Sequence, residues 1–202
     1  IIFTCNTRFG CELIKANPKE FKYDFGTPEN QTPGEKLDYY WEACWTINHS
    51  WGYKAHDSNW KSSKVLIQKL IDINSKGGNL LLNVGPTPEG TFPEGCLDRL
   101  EKMGQWTQFH ADALYGTEYA AVKKPSWGRV LKKGSSLFLH VFDWPKNQRL
   151  ELEGLSGKIL KAYVYNNKDT VLNYEMSEQA LSIQVPAQAY DENSSVIVLE
   201  FA

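Results

Sequence analysis

The chain has 202 residues, of which 42% are hydrophobic, and its 22 Lys and Arg against 24 Asp and Glu give a net charge of −2. This length is enough for one large or two small domains, and the balanced charge does not suggest the clustered basic surface of a nucleic-acid-binding protein. No apolar run approaches the roughly 20 residues that a membrane-spanning helix needs.

Residues 1–117 alternate apolar strand-like runs with helical patterns, which is typical of β/α units. The predicted strands cover residues 1–6, 41–48 and 79–84, and the last of them is a short apolar run that indicates burial on both faces, as in a parallel barrel. Residues 9–39 contain three prolines and no sustained period, so they are predicted to form one long loop. A chain that opens inside a strand is interpreted as part of something longer.

Two helices are predicted between these strands. Ser62 or Ser63 can cap the first helix, and the glycines at 77–78 end it. Pro93 opens the second helix at a position where its missing N–H costs nothing. An apolar stripe in that helix is predicted to face the core: Leu97, Leu100, Met103, Trp106 and Phe109.

The composition changes at residues 118–126, which are predicted to link two domains, 1–117 and 118–202. Beyond the linker, short strands at residues 136–142, 149–152, 158–165, 180–185 and 195–201 alternate with turn signals. Frequent short strands without a helical period indicate an antiparallel β-sandwich.

The common catalytic and cofactor motifs are absent from the sequence. There is no phosphate-binding glycine loop, no nucleophile elbow, no zinc-protease helix and no dinucleotide fingerprint. The four cysteines lack metal-ligand spacing and are interpreted as reduced, mostly buried thiols, although a Cys5–Cys11 bridge stays open. The four histidines, at positions 49, 56, 110 and 140, are interpreted as surface or capping residues.

The segment from residue 24 to residue 53 carries the candidate chemistry. It contains Glu29 on the long loop, Glu42 at the start of a predicted strand, and Trp51 just beyond the end of that strand. In a β/α barrel the loops after the strands build the active site, so these side chains are expected at one rim. The alternative is that Glu29 is simply solvated and that Glu42 and Trp51 only brace the strand.

Several longer stretches resemble the α-L-fucosidases of glycoside hydrolase family 29. The most specific is SKGGNLLLNVGP at residues 75–86, preceded by WEACWTIN at 41–48 and SWGY at 50–53. The match continues in GTFP at 90–93, ALYGT at 113–117, LHVFDWP at 139–145 and VIVLEF at 196–201. The resemblance implies the C-terminal part of a (β/α)8-like barrel followed by an antiparallel β-sandwich.

The resemblance also implies a retaining mechanism with two carboxylates and no metal or organic cofactor. In such a mechanism an Asp attacks the anomeric carbon and a Glu serves as acid and then as base. The family nucleophile lies in a Trp-x-Asp context that we expect upstream of this chain, and both Asp24 and Asp38 are rejected for that role. Thr27-Pro28-Glu29 matches the family's acid/base segment, which makes Glu29 the candidate and Glu42 its rival.

Other site residues follow from the same resemblance. Arg8, in the sequence NTRFG at residues 6–10, matches an arginine that contacts the sugar, and Trp51 matches an aromatic position near the methyl group of fucose. Glu42 would then orient or hydrogen-bond within the substrate site.

The expected function is hydrolysis of terminal α-L-fucosyl groups from glycans or glycoconjugates, with the isolated chain inactive because it lacks the nucleophile. The expected partners are fucosylated glycans, with no nucleic acid and no membrane span, and a homo-oligomer is compatible with the sequence. Family analogy suggests a secreted, periplasmic or lysosomal setting. The alternative function is that of a non-catalytic homologue or fragment that binds carbohydrate or docks another protein.

Overall fold

The computed structural model describes residues 4–5, 25–177 and 180–202. The chain divides into two compact units, the first ending at Trp106 and the second running from Thr107 to Ala202. Parallel strands and helices build the first unit, whereas antiparallel sheets build most of the second. The expected domain boundary after residue 117 stays a prediction.

Short parallel strands form the sheet of the first unit. They are β1 (Thr4–Cys5), β2 (Phe25–Gly26), β3 (Glu42–Thr46) and β4 (Asn79–Asn83). β1 pairs with β2, β3 pairs with β4, and bridges from Gly26 to Trp41 and from Glu29 to Cys44 join the two pairs. The strand order is therefore that of the chain, as expected for consecutive strands of a β/α barrel.

The prediction of one long loop over residues 9–39 is wrong for Phe25–Gly26, which form β2, and for Glu29, which bridges to Cys44, while residues 9–24 lie outside the described residues. Here the backbone continues the sheet, although the local sequence contains Gly26 and Pro28. Pro28 is tolerated because β3 needs only its carbonyl, which accepts a hydrogen bond from the Cys44 N–H at 3.1 Å. Backbone pairing of this kind leaves no period in the side chains.

Helix α1 (Ser63–Asn74) confirms the first predicted helix and its cap. The Ser62 hydroxyl accepts a hydrogen bond from the Val65 N–H at 3.2 Å. The helix ends before Gly77, whose φ of 75° is a left-handed conformation that glycine adopts without steric cost. Gly78 lies against the indole of Trp41, where an added Cβ would overlap the ring.

Helix α2 (Glu94–Phe109) confirms the second predicted helix but not its predicted apolar stripe. Its buried residues are Cys96, Met103 and Trp106, whereas Leu97 is 50% exposed and Phe109 is 54% exposed. The reason is geometrical. Three residues advance only about 300° around a helix of 3.6 residues per turn, so a spacing of three drifts around the surface. The first and last residues of the predicted stripe, Leu97 and Phe109, therefore cannot face the same core.

The second unit begins with the short helix α3 (Ala111–Leu114) and then forms two antiparallel sheets. The six-stranded sheet has the order β10-β9-β13-β7-β6-β5, and the three-stranded sheet has the order β11-β12-β8. The strands are β5 (Glu118–Tyr119), β6 (Gly128–Lys133), β7 (Ser136–Val141), β8 (Arg149–Glu153), β9 (Ile159–Val164), β10 (Asn167–Val171), β11 (Tyr174–Met176), β12 (Ala180–Gln184) and β13 (Ser195–Phe201).

Apolar side chains from both sheets form one core, as expected for a β-sandwich. β7, β9 and β13 contribute Leu139, Val164 and Ile197, and β8 and β12 contribute Leu152 and Leu181, all at most 1% exposed. The five predicted strands are confirmed, while β5, β6, β10 and β11 were missed. The predicted linker is wrong at its start, since β5 pairs with β6 as a strand of the larger sheet.

His140, interpreted as a surface or capping residue, is instead buried in the second unit, while His110 is buried at the N-cap position of α3, where its side chain makes no capping hydrogen bond. His140 is 0% exposed and His110 is 1% exposed. A hydrogen bond of 2.9 Å joins the Nε2 of His140 to the carbonyl of Ala113. The pKa of His140 is lowered to about 4, mainly because the side chain is buried. β7 is buried on both faces, so His140 is buried whichever face of the strand its side chain lies on.

Candidate active site

Strand β3 presents two different faces. Trp41 and Ala43 are buried and pack with Ile73 of α1, so this face lies against the helical layer. Side chains alternate along a strand, so Glu42 and Cys44 lie on the opposite face. Their neighbours there follow from the register, in which Cys44 is level with both Glu29 and Leu81.

Both candidate carboxylates lie near the thiol of Cys44 on this second face. Burial raises the pKa of Cys44, and the charges of Glu42 and then Glu29 raise it further. The register agrees with this, because Glu29 is the parallel bridge partner of Cys44 and Glu42 is two residues before Cys44 in the same strand, so all three side chains are expected on one face of the sheet. This face is open in the described part of the chain, since Leu81 is 44% exposed. The predicted burial of β4 on both faces is thus not seen within the described residues.

Glu29 and Glu42 lie at different heights along the sheet. Glu29 is level with Cys44, which is two residues beyond Glu42 and therefore about 7 Å nearer the C-terminal end of β3. Active sites of β/α barrels lie at the C-terminal ends of the strands. Glu29 is exposed and Glu42 is half-buried. The position of Glu29 is thus the more accessible of the two to a substrate at that end.

Backbone hydrogen bonds on either side of Glu29 fix its position. The Pro28 carbonyl accepts a hydrogen bond from the Cys44 N–H, and the Asn30 N–H donates to the Cys44 carbonyl at 2.8 Å. The side-chain oxygen of Asn30 accepts a hydrogen bond from the Thr46 N–H at 3.4 Å. Asn30 has a φ of 49°, a left-handed conformation that asparagine tolerates better than most residues. The strand segment therefore ends immediately after the glutamate.

Trp51 lies five residues beyond the end of β3, and the residue is 39% exposed. Its carbonyl accepts a hydrogen bond of 2.6 Å from the Nδ2 of Asn83, the last residue of β4. The structure therefore places Trp51 on the loop at the C-terminal end of the sheet, where the sequence predicted it. Sequence reasoning missed Asn83, whose role follows from a contact between residues 32 positions apart.

Several predicted site residues lie outside the described residues, and the remaining statements here apply only to the residues that the structure describes. Arg8, Cys11 and Asp24 lie outside the described residues, as does the side chain of Cys5. Cys44 and Cys96 are free thiols. Within residues 4–5, 25–177 and 180–202, no three His, Cys, Asp or Glu side chains are grouped so as to hold a metal ion. In the same ranges, no helix is both long and apolar enough to cross a membrane.

Comparisons with known proteins give a consistent result. A family model described as Alpha-L-fucosidase matches residues 4–112. The human plasma alpha-L-fucosidase is 33% identical over 132 residues, which cover 61% of this chain and 28% of that relative. The solved alpha-L-fucosidase isoenzyme 1 of Paenibacillus thiaminolyticus is 35% identical with a TM-score of 0.82, covering 89% of this chain and 45% of that one.

A third similar protein is a GH29 alpha-L-fucosidase of Bacteroides thetaiotaomicron, 25% identical with a TM-score of 0.82 over 90% of this chain and 44% of that one. Its structure is described as a trapped covalent intermediate in complex with 2-fluoro-fucosyl fluoride, obtained with a glutamate-to-glutamine variant. The present chain spans less than half the length of each of these three proteins.

Proposed function

This chain belongs to the α-L-fucosidase family, and we propose that the protein that carries it hydrolyses terminal α-L-fucosyl groups from glycans or glycoconjugates. The family model covers the part of the chain that holds Glu29, Glu42 and Trp51. Relatives named plasma and tissue alpha-L-fucosidase support a secreted or lysosomal setting.

The reaction proposed is a double displacement with retention. A carboxylate attacks the anomeric carbon, the aglycone leaves with a proton from the acid/base glutamate, and water then displaces the enzyme carboxylate with the help of that glutamate. The covalent intermediate of the Bacteroides thetaiotaomicron protein supports this sequence of steps. It was trapped in a variant with glutamine in place of a glutamate, as expected if a glutamate assists the second step.

Glu29 is the proposed acid/base. The observation that carries this assignment is its register, which sets it nearer the C-terminal end of the sheet than Glu42. Glu29 is also exposed, as a group that must meet both the leaving oxygen and water should be. Glu42, half-buried and deeper along β3, is proposed to orient groups within the site.

The nucleophilic Asp is proposed to come from outside these 202 residues. Three of the aspartates in the described first unit have other roles. Asp72 forms a largely buried ion pair of 2.8 Å with Lys76, and Asp98 forms one of 2.8 Å with Lys102. The carboxylate of Asp57 accepts hydrogen bonds from two backbone N–H groups of its own loop. Asp38 lies on an exposed loop before β3.

Two further residues are proposed to bind the sugar. Trp51 would pack on the methyl group of fucose, an apolar contact, and Arg8 would hydrogen-bond to sugar hydroxyls. A preference of about tenfold for fucose over L-galactose corresponds to about 1.4 kcal/mol, which is the size of one methyl-sized apolar contact.

The test is to compare Glu29→Gln with Glu42→Gln in the protein at its full natural length. Glu29→Gln should lower kcat on a fucosylated disaccharide by about 10²- to 10⁴-fold. The loss should be smaller on an aryl fucoside whose leaving group needs no proton. Azide should partly restore the second step, because this anion attacks without a general base. The same pattern in Glu42→Gln, and not in Glu29→Gln, would reverse the assignment.

A further inference from the structure

The segment that leads from β3 to Trp51 is held by the ammonium group of Lys61. Its Nζ donates to the carbonyl of Thr46 at 2.7 Å and to the carbonyl of Asn48 at 2.6 Å. The hydroxyl of Thr46 lies 3.3 Å from the same Nζ and donates to the Asn48 carbonyl at 2.6 Å. Three oxygens therefore surround one half-buried cation, which fixes the turn that leaves the strand.

The far end of the segment is held by Asn83. Its Nδ2 donates to the Trp51 carbonyl at 2.6 Å, and its own carbonyl accepts a hydrogen bond from the Ile47 N–H at 3.2 Å. One residue of β4 thus holds both the start of the loop and the residue whose indole is exposed. Asn83 pairs with Thr46 in the parallel register, so both ties lie at the same end of the sheet.

A close backbone approach completes the arrangement. A Cβ added to Gly85 would lie 2.6 Å from both the Gly52 carbonyl carbon and the Tyr53 nitrogen. The loop after β4 therefore packs directly on the backbone just beyond Trp51. This packing leaves the Trp51 carbonyl little freedom to move away from Asn83.

We propose that Asn83 is a specificity-determining positioning residue, which holds Trp51 where its indole meets the methyl group of fucose. Lys61 supports the same segment from the strand side. This inference rests on the proposed function, because it assigns a role to a residue that acts through Trp51. It goes further by predicting that sugar preference depends on a side chain that does not touch the sugar.

Asn83 would act by lowering the entropic cost of binding, because it holds the Trp51 loop in place before the sugar arrives. An exposed indole on a loop pays an entropic cost when it is immobilised on a ligand, and a loop that is already fixed avoids that cost. Asn83→Asp keeps the shape of the side chain but replaces the donor with a carboxylate. That carboxylate would repel the Trp51 carbonyl at the present distance of 2.6 Å.

The experiment measures kcat and KM of the full-length protein on an aryl α-L-fucoside and on the matching aryl α-L-galactoside, which carries a hydroxymethyl group in place of the methyl group. Asn83→Asp should raise KM for the fucoside with a small change in kcat, since contacts kept throughout the reaction act on binding. The preference for fucoside should fall by about tenfold. Asn173→Asp is the matched control, since Asn173 is an exposed asparagine of the second unit, and it should leave the preference unchanged.

A double-mutant cycle with Trp51→Ala separates positioning from general damage. If Asn83 acts through Trp51, the double variant should show the same sugar preference as Trp51→Ala alone. Losses in preference that multiply in the double variant would overturn the inference, and so would an unchanged preference in Asn83→Asp. Should Asn83→Asp unfold at the assay temperature, Asn83→Ala removes the donor without adding charge and is expected to show the same loss of preference.

Failure of the proposed function gives a different result. Wild-type full-length protein without activity on the fucoside would refute the function itself. Activity that prefers the fucoside, combined with an unchanged preference in both Asn83 variants, would refute only the positioning role.

Discussion

His140 makes the stability of the second unit sensitive to acid, and the size of the effect follows from its burial. The pKa of His140 is lowered to about 4, chiefly by burial and also by the neighbouring His110, while the hydrogen bond to the Ala113 carbonyl opposes the shift. An unfolded histidine has a pKa of about 6.5. Between these two values the unfolded chain binds a proton that the folded chain does not, so stability is full above about pH 6.5 and falls as the pH is lowered towards 4.

The magnitude comes from the difference between the two pKa values. A difference of about 2.5 units corresponds to about 3 kcal/mol once the loss is complete, and about 2 kcal/mol of it is lost by pH 5. His140→Gln removes the titration while its amide can still donate to the Ala113 carbonyl. The variant should therefore lose less stability than the wild type between pH 7 and pH 5, even if it is less stable at pH 7.

Urea unfolding of the chain at several pH values, followed by near-ultraviolet circular dichroism, measures this difference. The matched control is His56→Gln, the same substitution at an exposed histidine of the first unit, which should respond to pH as the wild type does. Parallel pH profiles of wild type and His140→Gln would refute the reasoning. They would mean that His140 is protonated in the folded protein or already neutral in the unfolded chain.

Three further predictions concern the first unit. The isolated 202-residue chain should not release the aryl group of an α-L-fucoside, and steady-state release at the rate of an intact fucosidase would contradict the proposed external nucleophile. Alkylation of Cys44 by iodoacetamide, in a variant without the other cysteines, should need a more alkaline pH than an ordinary thiol, and both Glu42→Gln and Glu29→Gln should shift its midpoint downward. Gly85→Ala should destabilise the protein by about 1–3 kcal/mol because its Cβ meets backbone, whereas Gly104→Ala, in open space on a helix, should stabilise it by about 0.5–1 kcal/mol. Thermal unfolding measures both, and equal shifts would contradict the packing at Gly85.

Local signals in the sequence were enough for both long helices and for the strands with a strong apolar pattern. The Ser62 cap and the glycine at 77 set the ends of α1, because capping depends on a few neighbouring atoms. Strand β10 was missed because its residues are polar and mostly exposed, so its alternation carries no hydrophobic signal. Strand β2 was missed because it consists of two residues whose pairing depends on strands elsewhere in the chain.

The family resemblance supplied the candidate site residues, and the structure adds their relative height. Sequence spacing alone placed Glu42 in a strand and Glu29 in a loop, so it could not compare their positions. The bridge between Glu29 and Cys44 fixes the register of the two segments, and in this register Glu29 is nearer the C-terminal end of the sheet than Glu42. This comparison depends on hydrogen bonds between segments 15 residues apart, which no local pattern encodes.

The contacts around Trp51 are a second case in which the sequence could not identify residues that matter for the site. The exposed indole could be found by resemblance, but the groups that hold it could not. Lys61 and Asn83 act through backbone carbonyls, and a bond to a carbonyl requires no particular partner residue. Substitutions of the residues that carry those carbonyls would leave both bonds in place, so no pairing of side chains records them. Residues that position a site through the backbone therefore have to be found from geometry, and Asn83 tests whether geometry alone identifies a residue that controls sugar preference.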